Sequence, residues 1–443
     1  MNITFRGHKI YVDRNTKNEY PRFSIALAML LLYVAPFVSM WLAVPSFIIC
    51  IYRTIRYDVK VFATDFGALL PLVALTKLPD VPALLVYWIL LAGIWHFVRG
   101  GMRKESSFIL LIVLANYLLT RMQMELNTLV LMFGPLFVVC LILPKQDEIS
   151  AERTIKMFIT SLIISSIYAF LLRDTAQIRA ICGADAYAFF GSNVKRFKGL
   201  LQDPNYYMTL VVIAIALLMK MKECNLVTMG QFLVQGLVLV TFGMLTYSKT
   251  FFLVFILLAA LYVYWQFRSK KIVSGMAWTT LALASAAIIL FANISPFEVI
   301  IERFTSAKSI RDLTTGRSEL ILYYWRAITQ DVQSFFFGKG LGAAALWKDP
   351  HNIYLEAMYY LGVVGFGLIL SVCIHLVREA KMRVPQNGEH WISKYMVLLM
   401  LLVLYCSLHG LFQVSFYGEL FFALLSLTLV KRKDQLIVES SEE

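Results

Sequence analysis

Residues 203–222 read DPNYYMTLVVIAIALLMKMK: a start signal, an uninterrupted apolar run and a basic end. Asp203 or Asn205 suits a helix cap, and Pro204 suits a first helical turn, where a missing N–H removes nothing that the helix would use. The run that follows is one of many. Applying the requirement for roughly 20 apolar residues per bilayer crossing along the chain predicts helices near 22–37, 40–53, 62–78, 82–98, 106–121, 124–143, 156–173, 206–221, 228–247, 250–267, 272–292, 353–377, 393–410 and 413–430. The expected fold class is therefore all-α: a polytopic membrane protein of about 12–14 transmembrane helices, with residues 1–443 as one integral membrane domain. The stretch 22–53 is long for one span and short for two, and a hairpin turning around Ser39 to Trp41 keeps the basic segments on both of its sides in one compartment.

Composition points the same way. Of 443 residues, 59% are hydrophobic and 16% charged, whereas soluble domains carry about a quarter charged residues. The net charge of +13 gathers in short segments between apolar runs, among them Tyr52 to Lys60, Arg99 to Lys104, Lys220 to Lys222, Arg268 to Lys271 and Lys431 to Lys433. Short basic loops mark the cytoplasmic side. Charge divided in this way among apolar spans does not make the continuous face that nucleic acid needs, so no nucleic-acid partner is expected. Residues 1–22 are too weakly apolar for a cleavable signal, which leaves the first apolar segment as an anchor. Of the six cysteines, only Cys182 falls in a loop expected outside, so no structural disulfide is expected.

With Lys431 to Lys433 inside, counting back places two long segments outside, 174–205 and 294–352. Long loops of mixed composition in a compact membrane domain are usually functional. The second is helical in pattern: Ile321, Tyr324, Trp325 and Ile328 form one apolar stripe behind Gly316. Each loop ends on a helix-start signal, Asp203-Pro204-Asn205 and Asp349-Pro350-His351-Asn352. Two helix N-termini facing one compartment can converge on an anion, because their N–H groups and positive dipole ends point at it. Cations accompany both: Arg196 and Lys198 before the first, Arg303, Arg311 and Arg317 in the second loop. Guanidinium forks suit phosphate. Solvated surface positions, or pairing with Glu302, Asp312 and Glu319, would explain the same arginines without any ligand. His351 stands at a helix entrance beside Asn352, where an imidazole can take a proton from a hydroxyl at neutral pH. Tyr354 follows within a turn on about the same face, and Glu356 lies just over one turn on, off that face. Ser248-Lys249-Thr250 interrupts two spans at the outer side and reads as a tight turn or as a phosphate contact through Lys249.

No clustered His, Cys or carboxylate set has metal-ligand spacing, and no phosphate-binding or dinucleotide fingerprint occurs, so neither metal nor cofactor is expected. Asp65 and Glu125 lie near the ends of expected spans and form no relay of the kind a transporter uses.

The motif order resembles the O-antigen polymerase and O-antigen ligase superfamily. Thr315-Gly316-Arg317-Ser318-Glu319, Phe337 to Gly342, Asp349 to Glu356 and Leu361 to Gly365 look like its core, and Arg196-Phe197-Lys198-Gly199, Asp203-Pro204-Asn205 and Ser248-Lys249-Thr250 are similar to its earlier segments. The resemblance covers about 196–370. It implies a C-type glycosyltransferase-like fold with a long helical extracytoplasmic loop, in the bacterial inner membrane, with a periplasmic or extracytoplasmic active site. Its implied activity is metal-independent, inverting polymerisation of undecaprenyl-diphosphate-linked repeat units of O-antigen, capsule or exopolysaccharide. The implied partners are that lipid-linked donor, a glycan acceptor, membrane lipids and a chain-length regulator. The implied catalytic residues are His351, Arg317 and Arg196, and the implied substrate-binding set is Lys198, Asn205, Lys249, Arg311, Asn352, Tyr354 and Glu356. Lys249 stands where the family commonly has arginine, which keeps the charge and loses the planar fork. A ligase acting on lipid A core or another envelope acceptor shares these motifs, and a flippase of lipid-linked sugars is a third reading. Inverted repeats and charges lining mid-membrane positions, which would favour the flippase, are not evident in the sequence.

Overall fold

The computed structural model describes residues 2–5, 8–11, 22–78, 83–100, 142–182, 196–201, 203–268, 305, 317–340, 352–382 and 421–429. These residues are mostly helical. The exception is a short antiparallel hairpin of β1 (Asn2–Phe5) and β2 (His8–Tyr11), with Asn2 opposite Tyr11, which an all-α reading did not include. Among the described residues, three helical stretches are long and apolar enough to cross a membrane: Val59–Thr76, Glu148–Leu172 and Pro204–Glu223. The spans expected at 106–121, 272–292 and 393–410, most of that at 124–143 and half of that at 413–430 lie outside the described residues.

The chain begins its helical part with α1 (Arg22–Val38) and α2 (Ala43–Arg56). They form the hairpin expected around residues 39–41. Ser39 is extended, its hydroxyl accepts from Trp41 N (3.3 Å) and its carbonyl from Leu42 N (3.0 Å), so a single residue reverses the chain. Asp58 then caps α3 (Val59–Leu69), which tightens into a 3-10 run over Leu70–Thr76 at Pro71. Next comes α4 (Leu84–Gly100). Asp147 and Ser150 make a reciprocal capping box at the start of α5 (Glu148–Leu172). A short α6 (Ala176–Cys182) leads toward α7 (Pro204–Glu223), α8 (Met229–Met244) and α9 (Lys249–Arg268).

Helix α7 is the centre of the bundle. In its most apolar 18-residue window 89% of residues are buried, against 44% for α5, so neighbours enclose α7 while α5 keeps one face outward. An apolar surround gives polar groups no water, and each one must find a partner within the protein. Here those partners tie specific helices together. Gly67 of α3 lies so near Thr154 of α5 that a Cβ would come within 2.9 Å of its carbonyl oxygen, and the Thr64 and Thr154 hydroxyls meet at 3.2 Å beside it. Small residues allow this approach. Ser161 of α5 donates to the Ala68 carbonyl, Tyr168 to the Tyr33 carbonyl (2.7 Å), and Ser166 meets the Tyr207 hydroxyl of α7 at 2.6 Å. Ser166 comes late in α5 and Tyr207 early in α7, which makes the two helices antiparallel. The segment 421–429 closes the bundle from the far end of the sequence. Phe422 stacks on Phe158 (4.1 Å between centroids) and faces Phe66 (6.4 Å).

One basic residue departs from the surface role read for segment 52–60. Arg53 is buried and grips Asp65 through both carboxylate oxygens, each at 2.7 Å, while also donating to Ser24. Neighbouring α2 and α3 bring the two side chains together, and a guanidinium, which keeps its charge when buried, is tolerated there only beside such a partner. Asp65, placed near a span end from sequence, lies well inside α3. Removing one member leaves an unpaired buried charge. Arg53→Ala or Asp65→Ala is therefore expected to lower stability by about 3 kcal/mol or more, whereas Arg53→Met with Asp65→Leu recovers most of the loss. Thermal melting in detergent checks this, and single variants that melt with the wild type contradict it.

Candidate functional site

The end of the bundle where α7 begins is built from three chain segments. Asp203 is extended (φ −126°, ψ 132°) and its carboxylate accepts from Asn205 N (2.6 Å), starting the helix as the Asp-Pro-Asn signal predicted. That bond leaves the Asn205 side chain turned to its neighbours. Its Oδ1 accepts from Arg196 Nη2 (3.1 Å) and from Ser248 Oγ (3.3 Å). Arg196 Nε donates to the Thr246 carbonyl (2.7 Å), and Phe197 N donates to the Leu245 carbonyl (2.9 Å). The loop before α7 is thus laid along the turn between α8 and α9.

Two backbone positions in this junction take left-handed angles. Gly199 (φ +55°) lies flat on Tyr207, whose ring a Cβ would meet at 2.5 Å. Its lack of a side chain is what lets the Arg196-to-Gly199 motif press on α7. Tyr247 has φ +48° without being glycine, a conformation that costs on the order of 1 kcal/mol and persists where its surroundings fix it. The surroundings are Thr246 Oγ1, which donates to the Gly243 carbonyl (2.7 Å) and accepts from Ser248 N (3.3 Å). Burial pushes the Tyr247 phenol above its ordinary value, with the charge of Arg173 pulling the other way. Beneath the junction Phe197 stands edge-on to Tyr207 (5.2 Å), stacks on Phe242 (5.2 Å) and meets Phe170 (6.1 Å).

The charges at this end are mostly positive. Arg196 and Lys198 share the loop, Lys249 is the first residue of α9, and Arg173 follows α5 with its guanidinium 4.4 Å from the Phe170 ring centre. Lys249 at the positive end of a helix dipole is unfavourable unless negative charge is near. Together with the N-termini of α7 and α9, these cations make an end suited to an anion. Of the predicted residues, Arg196, Asn205 and Lys249 are brought together here with Lys198 beside them. Thr246, Tyr247 and Arg173 were not singled out from sequence. A threonine carbonyl leaves no trace in residue identity, and Arg173 reads as an ordinary helix-end charge.

The remaining candidates cluster around α10 (Arg317–Ile328), α11 (Val332–Phe337) and α12 (Ile353–Met382). His351, Arg311 and the Arg317 side chain lie outside the described residues. Asn352 Oδ1 caps α12 through Tyr354 N (3.0 Å) and Leu355 N (3.1 Å), Tyr354 packs edge-on against Phe366 (5.8 Å), and Glu356 is buried. Asn352 and Tyr354 thus help to form the start of α12. The helix breaks at Gly362 (φ 66°, ψ −177°). That break turns the Tyr359 and Tyr360 carbonyls to the neighbouring loop, where Lys339 N (2.7 Å) and Gly340 N (3.0 Å) donate to them. Gly338 and Gly362 make the crossing possible: a Cβ on Gly338 would lie 2.4 Å from the Tyr360 oxygen, and one on Gly362 2.3 Å from the Phe336 oxygen. The expected stripe on α10 is only half buried. Tyr324 and Ile328 are enclosed with Leu320, while Ile321 and Trp325 are exposed, because α12 covers the 320–324–328 line and Tyr324 meets Tyr359 there (5.1 Å).

No family model, curated protein or solved structure matches the chain.

Gly199→Ala is expected to cost about 1–3 kcal/mol and to lower the melting temperature, since it adds both strain and a clash with Tyr207; an unchanged melting curve contradicts the packing described. A second expectation concerns Asp331, which caps α11. Its bonds to Ser334 Oγ and Ser334 N (each 2.7 Å) and to Lys339 Nζ (3.2 Å) pull its pKa down to about 2. A depressed carboxylate stabilises its fold fully above the unfolded value near 4 and loses that contribution as pH falls toward 2. Protection of the α11 amides, taken relative to their intrinsic exchange rates, should therefore fall between about pH 4 and pH 2, and Asp331→Asn should weaken that dependence.

Proposed function

We propose that the chain is a multi-pass glycosyltransferase of the bacterial cytoplasmic membrane that polymerises undecaprenyl-diphosphate-linked repeat units at the outer face. The observation that carries this reading is the junction at the start of α7, where Arg196 bridges Asn205 and Thr246 beside Lys198, Lys249 and two helix N-termini. Three apolar helices of spanning length support the membrane setting. So does the charge at the opposite end of the bundle, where Lys60 pairs with Asp147 and Lys220 and Lys222 close α7. The whole chain, read in this way, has about 12–14 spans.

In this reading the diphosphate of the donor rests against the cations of the junction. The anomeric carbon to phosphate-oxygen bond breaks, and the electron pair leaves with the diphosphate, where the guanidinium and ammonium groups stabilise it. The acceptor hydroxyl attacks the opposite face of the same carbon. His351 takes its proton, and the anomeric configuration inverts. Arg317 completes the catalytic set in this reading. The polymerase reading stands ahead of the ligase on the resemblance of the His351-to-Glu356 segment.

The test uses purified full-length protein in nanodiscs with a lipid-linked repeat unit as both donor and acceptor. Wild type should lengthen the glycan, while His351→Ala and Arg196→Ala should lower turnover by about a hundredfold or more with folding retained. Polymer formation unchanged in both variants would sink the site. A deletion strain whose envelope carries single repeats indicates the polymerase, and accumulation of free lipid-linked polymer indicates the ligase.

A further inference from the structure

Arg173 lies outside every segment that carried the sequence argument, and the structure sets it at the same end of the bundle as Arg196. It follows the last residue of α5, the helix whose Ser166 meets Tyr207 one turn into α7. Its guanidinium rests on the Phe170 ring (4.4 Å), and that ring contacts Phe197, the residue after Arg196. The Arg173 charge also bears on Tyr247, between the Thr246 carbonyl that holds Arg196 and the Ser248 hydroxyl that holds Asn205.

The charge balance around it is uneven. Asp174 is shared: Arg173 Nε lies 3.5 Å from one of its oxygens and Arg179 Nη2 3.1 Å from the other. One carboxylate therefore serves two guanidinium groups, and among the described residues of this cluster positive charge is in excess. The Arg173 side chain is 55% exposed, so a ligand can reach it. An aromatic face beneath a guanidinium holds the plane and leaves the edge N–H groups directed outward, the geometry in which arginine binds phosphate through two parallel bonds.

We propose that Arg173 is a phosphate-binding residue of the junction, gripping the diphosphate of the lipid-linked substrate from the side of α5 while Arg196 organises the side of α7. This rests on the function proposed above and extends its site to a residue no motif marks. Asp174 then acts as a competing carboxylate, occupying Arg173 until substrate displaces it.

The experiment measures affinity of the full-length protein, in nanodiscs of zwitterionic lipid, for farnesyl diphosphate and separately for inorganic pyrophosphate. Wild type should bind farnesyl diphosphate. Arg173→Ala should weaken binding by about tenfold or more, and Arg173→Lys should weaken it less. Asp174→Asn should bind as tightly as wild type or more tightly, since it removes the competitor. A purely structural cluster predicts the reverse for Asp174→Asn, a loss parallel to that of Arg173→Ala, and that result overturns the assignment. Wild-type affinity in Arg173→Ala, with loss in Arg196→Ala, also overturns it while leaving the proposed function standing. No binding to wild type removes both. Equal affinity for pyrophosphate locates recognition in the phosphates alone, and tighter farnesyl diphosphate binding adds the isoprenoid. Melting curves accompany every variant; if Arg173→Ala does not fold, Arg173→Lys and Asp174→Asn carry the test.

Discussion

Polar groups enclosed by apolar helices have to pair with one another, and in this protein those pairings choose which helix lies against which. Greasy surfaces alone are non-directional, so a bundle of apolar helices could pack in several arrangements. The Thr64–Thr154 contact, the Ser166–Tyr207 contact and the Tyr168 bond to the Tyr33 carbonyl each exist in one arrangement only. Arg53 with Asp65 and Ser24 does the same for the first three helices. Breaking any of these leaves a polar group among hydrocarbon, a cost that the native packing avoids at each of these contacts.

The same constraint explains how a charged junction can sit on top of an apolar bundle. Arg196 is oriented by a backbone carbonyl and an amide oxygen, both neutral acceptors, so those two bonds fix its plane without neutralising it. Below, a layer of aromatic rings separates the charges from the helix interior and supplies a flat support for Arg173. Preorganised charge of this kind needs little rearrangement when negative charge develops beside it.

Much of this was legible in the amino-acid order. Apolar run length located α1 through α5 and α7 through α9, and the Asp-Pro-Asn and Ser-Lys-Thr signals located the ends that meet in the junction. Local chemistry governs those features, so local sequence shows them. What depended on partners was hidden. Arg53 reads as a surface charge until Asp65 is placed beside it. Ile321 and Trp325 read as core until α12 covers the neighbouring line. Residues 337–340, read from sequence as part of a family motif, carry a crossing of two backbones at Gly338 and Gly362. Arg173 gave no signal, because its meaning comes from a ring one turn earlier and a turn of chain more than seventy positions later.

The placement of Phe422 has a bearing on biogenesis. Its ring fills the groove between Phe66 and Phe158, in helices delivered to the membrane hundreds of residues before it. Until residue 422 is made, that groove lacks the ring that fills it, while α7 to α9 are neighbours in sequence and need nothing later to meet. Ribosomes stalled before residue 421 would release a chain with α7 to α9 assembled and the seam between α3 and α5 unsealed, a lesion that membrane quality control could recognise.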